Sequence, residues 1–193
     1  MLRTSGASIK CVAYSKDGTS ARGEPVESIR VREVGSKNFM NNELQEVFEF
    51  SFQGKSYNEL SRHDVRVLIL HLLYMLYAND YDISLNSIVD NIHAGFDFEI
   101  PKDSYAFKTA QDISEHRDEL DKQIQPLLKN WKIDRLGICT RLILQMALWE
   151  LQNSDTHSNI IIDESVELAK TFSEKDAYKF VNGVLDQLSK SLN

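Results

Sequence analysis

Apolar residues recur along this chain in two different rhythms, and the change falls near residue 60. Before it the runs are short and alternate. Ile9 to Tyr14, Ser28 to Val34 and Val47 to Phe52 read as strands, the last with Phe48, Phe50 and Phe52 on one face. After residue 60 the spacing is three and four, the period of a helix. Ser61 to Tyr77 is apolar nearly all round, which predicts a buried central helix with Ser61 as its cap. Ser84 opens a shorter helix that Gly95 is expected to end. Phe96, Phe98 and Ile100 follow in a loop, lying on the bundle or forming an exposed patch. Asp103 then begins a long amphipathic helix that Pro126 breaks. Trp131 to Asn153 predicts another helix, with Ile138, Leu142, Met146 and Trp149 in one row and Asp134 as a candidate cap.

The last 30 residues or so predict a helical hairpin. Ile162, Val166, Ala169 and Phe172 form one stripe. Ala177, Phe180, Val181, Val184, Leu185 and Leu188 form the other. Ser173 or Asp176 is placed to cap the second helix. Gly183, inside the second pattern, predicts close approach of a neighbouring backbone, and Asn182 beside it predicts a hydrogen bond to another element. The expected fold is therefore all-α: a compact bundle of six or seven helices over 61–193, preceded by an irregular or weakly β extension over 1–60.

Composition narrows the function. No apolar run reaches the length of a membrane span, and the N-terminus lacks the apolar core of a secretory signal, so a cytoplasmic protein is expected. Cys11 and Cys139 are far apart and out of metal-ligand spacing, so two reduced thiols are expected. The net charge is −7, and residues 1–60 balance eight basic against eight acidic side chains. All of the excess is thus on the helical part, a poor general surface for nucleic acid, so any such site must be a local basic patch. Phosphate-binding loops, zinc motifs and nucleophile elbows are missing from the sequence, and no catalytic residue, metal ligand or cofactor is assigned. Glu150, at the core edge, lacks a second carboxylate at useful spacing and reads as a hydrogen-bonded structural group.

Two residue strings add a resemblance. DESVELAKTF followed by KFVNGVLD is similar to the C-terminal motif of the NusB family, RNA-binding transcription antitermination factors, with Asp163 where the family usually has Asn. SRHDVRVLILHLLY resembles the family's arginine-rich opening helix, and WKIDRLGICTRLILQMALWEL its W-x-hydrophobic-x-R block. His63, Asp64 and Gln145 depart from it where basic residues are usual. The resemblance covers about 61–188 and leaves 1–60 unassigned.

It implies a helical domain that pairs with NusE, a small-subunit ribosomal protein. Together they would bind boxA-type single-stranded RNA and help RNA polymerase read through ribosomal RNA operons. It further implies that Arg62, His63, Arg66 and Tyr74 on the first helix, with Phe172, Asp176 and Phe180 near the final turn, belong to the RNA surface. Arginine suits such work through its planar fork, and an aromatic ring can stack an unpaired base. Two other functions fit the same helices. One is a protein-interaction module that keeps NusE but binds RNA weakly. The other is an accessory domain of an RNA-modifying enzyme.

Overall fold

The structure, a computed structural model, describes Phe52 and residues 54–129 and 131–192. Seven α-helices make up the described part, and it contains no strand. They are α1 (Arg62–Ala78), α2 (Leu85–Phe96), α3 (Tyr105–Glu115), α4 (Arg117–Ile124), α5 (Ile138–Asn153), α6 (Ser158–Phe172) and α7 (Ala177–Leu192). Short 3-10 turns span Tyr57–Glu59, Gln125–Leu127 and Ile133–Arg135. The expected strands at 9–14 and 28–34 lie outside the described residues, as does the third apart from Phe52.

The apolar opening helix becomes the centre of the bundle. Every residue of α1 from Arg66 to Leu76 is buried. It packs mainly against α3 and α5, while α6 and α7 form an antiparallel hairpin whose two arms both rest on α5. Ser61 starts α1 by a reciprocal capping box: its hydroxyl accepts from Asp64 N–H at 3.1 Å, and Asp64 Oδ2 accepts from Ser61 N–H at 3.0 Å.

Several local expectations are corrected. Helix α2 runs on through Gly95 to Phe96, and its left-handed terminal residue is Asp97, with φ of 52°. The long helix from Asp103 is two helices, capped by Ser104 and interrupted at His116. Side chains reach back to carbonyls of the last turn of α3 at that interruption. His116 Nδ1 lies 2.9 Å from the Asp112 carbonyl, and Arg117 Nη1 donates to the Ser114 carbonyl at 2.8 Å. Phe98 and Ile100 pin the following loop to the core, being 3% and 2% exposed.

Asp134 sits within a 3-10 turn, and the residue that precedes α5 as its cap is Gly137. The reason lies across the hairpin. A Cβ at Gly137 would stand 1.6 Å from Glu174 Oε1, so the glycine makes room for that carboxylate at the positive end of α5. Thr140 holds it there, donating to Glu174 Oε2 at 3.1 Å.

The buried line of α6 is also rotated from the expected stripe. Ile161, Ser165, Leu168 and Ala169 face inward, while Ile162, Val166 and Phe172 are half-buried. A serine is tolerated in that line because its hydroxyl donates to the Ile161 carbonyl at 2.7 Å. The Ser173 hydroxyl is buried without a hydrogen-bond partner, so it caps nothing. Asp176 instead makes the turn, in the left-handed region with φ of 69°. Gly183 has nothing within 4 Å of an added Cβ, and Asn182 is exposed beside it. The close backbone approach expected at Gly183 is therefore absent.

Candidate nucleic-acid interface

The start of α1 gathers three basic side chains, and each has a different fate. Arg62 is exposed and makes no ion pair among the described residues. His63 is exposed, with Nδ1 2.8 Å from Glu164 Oε2 on α6. Arg66, one turn on, is buried at 7% exposure. Its Nε lies 3.1 Å from both carboxylate oxygens of Glu150 on α5, and its Nη1 3.9 Å from Glu164. Glu150 is thus the hydrogen-bonded structural glutamate that the sequence suggested, and Arg66 is its partner. Burial pushes the Glu150 carboxyl above the ordinary range and nearby Glu164 adds to this, while Arg66 pulls it back down.

Asp64, a departure from the basic pattern, has a constructive place. Its carboxylate caps the helix and also takes Lys55 Nζ at 3.0 Å. Partial burial raises this carboxyl, but the bonds from Ser61 and the Lys55 charge outweigh it and hold it below the usual range. The acid therefore recruits a lysine from seven residues before the helix starts.

Farther along, α1 and α6 run side by side in the same sense. His63 meets Glu164, and eight residues on along both helices the His71 ring meets the Phe172 ring edge-on at 5.5 Å. Eight helical residues span roughly 12 Å, which separates the charged end from the aromatic end. His71 is 3% exposed and donates from Nδ1 to the Val67 carbonyl at 2.7 Å. Burial lowers its pKa to about 4, so the ring is neutral at pH 7. Phe52 closes the aromatic row on the other side, 5.8 Å from His71.

The hairpin turn completes this end. Phe172 and Phe180 are half-buried, and Asp176 is exposed, paired with Lys179 at 2.8 Å. Tyr74, by contrast, is 8% exposed within the core. The fold thus brings Arg62 and His63 to one end of the α1–α6 seam and Phe172, Asp176 and Phe180 to the other, with Arg66 and Tyr74 inside.

Gln145, where the resemblance leads one to expect arginine, is 1% exposed and faces inward. Its Nε2 donates to Asp121 Oδ1 at 2.7 Å, and Arg141, one turn earlier, supplies the cation that Asp121 needs. Sequence reasoning missed Lys55, Glu164 and His71. The pairings that give them meaning cross 9 to 101 residues, and side-chain periodicity carries no signal for such distances.

Comparison with known proteins settles the family. The family model described as "NusB family" covers residues 63–190, about two thirds of the chain. This chain belongs to the NusB family. The transcription antitermination protein NusB of Staphylococcus epidermidis is 37% identical over 133 residues, covering 67% of this chain and 99% of that protein. Its counterpart in Staphylococcus aureus is 37% identical over 134 residues, covering 68% and 100%. Among solved structures, NusB of T. maritima superposes with a TM-score of 0.58 at 26% identity, over 68% of this chain and 92% of its own. A chain in a crystal structure of a plectonemic RNA supercoil superposes equally well, over 68% and 97%. The matched relatives are transcription factors, and the first 60 residues of this NusB-family chain lie outside the family match. No described helix is long and apolar enough to cross a membrane. Among the described residues no group of three His, Cys, Asp or Glu side chains is placed to hold a metal, and Cys139 is buried.

Proposed function

We propose that this protein is a transcription antitermination factor. It binds boxA-type single-stranded RNA together with NusE and acts within the RNA polymerase antitermination complex. The observation that carries the reading is the α1–α6 seam of a NusB-family domain, with exposed Arg62 and His63 at one end and Phe172 and Phe180 beside Asp176 at the other. Arg62 offers a planar cation to phosphate, and the face of an aromatic ring can stack on an unpaired base. His63 reaches RNA by leaving Glu164. Arg66 serves from inside, by fixing the start of α1 against α5, and Tyr74 by filling the core beneath.

A second reading has its own support: a protein-interaction module that keeps NusE and binds RNA weakly. The acidic charge of −7 and the engagement of His63 and Arg66 by carboxylates favour it. Fluorescence anisotropy separates the two. A labelled boxA-type RNA and a scrambled control are titrated with the protein, alone and with NusE, over a range of salt. Preference for boxA that strengthens with NusE, and a salt slope that falls in Arg62→Ala, support the antitermination reading. NusE binding without any RNA preference supports the interaction module. A methyl-transfer assay with S-adenosylmethionine tests the third possibility, an accessory domain for RNA modification.

A further inference from the structure

Among the described residues, three carboxylates reach the start of α1, and each is held differently. Glu150 is buried, with both oxygens 3.1 Å from Arg66 Nε. Asp64 is occupied by the helix cap and by Lys55. Glu164 faces outward. Its Oε2 accepts from His63 Nδ1 at 2.8 Å and lies 3.9 Å from Arg66 Nη1.

The outer contact is open to exchange and the inner one is closed. The His63 and Glu164 side chains are 46% and 29% exposed, so solvent and ligands reach both. Arg66 and Glu150 are out of reach of either. A phosphate oxygen asks of a ring N–H what a carboxylate oxygen asks: a place as anionic acceptor along the donor direction. Nδ1 has one hydrogen to give and serves one of them at a time. Glu164 therefore stands where an RNA phosphate would meet His63, and Arg66 attracts it there from the buried side. An ion pair this exposed is weakly held, so it restrains binding without blocking it.

We propose that Glu164 is a built-in competitor of RNA phosphate at the start of α1. It engages His63 in the free protein and releases it when RNA binds, so this carboxylate lowers affinity. The proposal rests on the antitermination reading given above and adds to it the residue that restrains the site. Arg66 keeps Glu150 throughout, and only the outer partner changes.

Fluorescence anisotropy of the full chain at about 0.1 M salt tests the proposal. Glu164→Gln binds boxA-type RNA about three- to tenfold tighter than wild type. Scrambled RNA gains by the same factor, because a phosphate contact carries no sequence information. Glu167→Gln removes the same charge from a residue paired with Lys170 and is the control for net charge, with a change of less than about twofold. In a His63→Ala background the Glu164→Gln gain falls below about twofold, since the contact it releases is already gone. Nuclear magnetic resonance of wild type gives a check free of variants: the His63 Nδ1 signal moves as RNA is added. Wild type that prefers boxA, with Glu164→Gln binding no tighter, overturns the proposal and leaves the antitermination reading standing. So does a gain that persists in the His63→Ala background, or a His63 signal that RNA leaves unmoved. No boxA preference in wild type or in any variant overturns both.

Discussion

Removing Glu150 would test how far the start of α1 depends on a buried ion pair. Arg66 is 7% exposed and Glu150 3%, and the next carboxylate, Glu164, lies 3.9 Å from the guanidinium. Glu150→Ala leaves that cation buried with a distant partner, a change that costs about 3–5 kcal/mol in such settings. Against a total stability of about 5–15 kcal/mol, this is a large share. The pair itself is not expected to be a net source of stability. Burial raises the Glu150 carboxyl even with Arg66 beside it, so attraction does not fully repay desolvation.

The folded state consequently keeps the Glu150 proton to higher pH than the unfolded chain does. Stability from this group is present below the unfolded value of 4.5 and is lost as pH rises through the folded one. The double variant Arg66→Met/Glu150→Leu, which removes both charges, should be neutral or more stable by about 1–4 kcal/mol. Urea unfolding at pH 7, completed as a double-mutant cycle, measures all of these. The reasoning is refuted if Glu150→Ala costs less than about 1 kcal/mol, or if the double variant loses as much as the two single ones combined. The same double variant addresses function. If Arg66 acts only through the fold, the salt slope of RNA binding is unchanged, whereas a direct phosphate contact would reduce it by about 0.7.

Other consequences can be measured separately. Arg62→Ala should lower the salt slope of boxA-type RNA binding by about 0.7 and shift stability by less than about 0.5 kcal/mol, checked by anisotropy and urea unfolding. Gly137→Ala should evict the Glu174 carboxylate and break its bond from Thr140, costing about 1 kcal/mol in thermal unfolding; adding Glu174→Ala should make the glycine change nearly silent. His71, with its pKa lowered to about 4, binds its proton more weakly when folded, so its contribution is complete above 6.5 and disappears as pH falls toward 4. That loss amounts to about 3 kcal/mol, and the stability difference between wild type and His71→Gln should therefore change over this pH window.

The helices were readable in the sequence because burial leaves a period. Of the eleven consecutive buried residues in α1, all but Arg66 and His71 are hydrophobic and cover every face, and Ser61, Ser84 and Ser104 sit where hydroxyls satisfy free N–H groups. Polar logic was less readable. His116 looks like solvent face in a charged run, yet it stands at the junction where the long helix becomes two, its ring 2.9 Å from the Asp112 carbonyl. Gly183 looks like a site of close approach and faces open space, while Gly137, unremarked beforehand, is the glycine a neighbour requires. The candidate surface was half legible. Family motifs named Arg62 and Arg66 alike, and sequence could not separate exposed Arg62 from buried Arg66, four residues away, because Glu150 is 84 positions distant.

The parallel contact of α1 with α6 has a bearing on timing. Its cationic residues are among the first of the bundle to be synthesised, and its aromatic and turn residues, 172–180, among the last. Neither half is a surface alone: α1 is apolar all round and needs α3 and α5 before it can be covered. A chain emerging N-terminus first can therefore present the two ends together only after nearly the whole domain has been made and folded. Under the RNA-binding reading proposed above, affinity for RNA would require completed synthesis and would be withheld from partial chains by geometry.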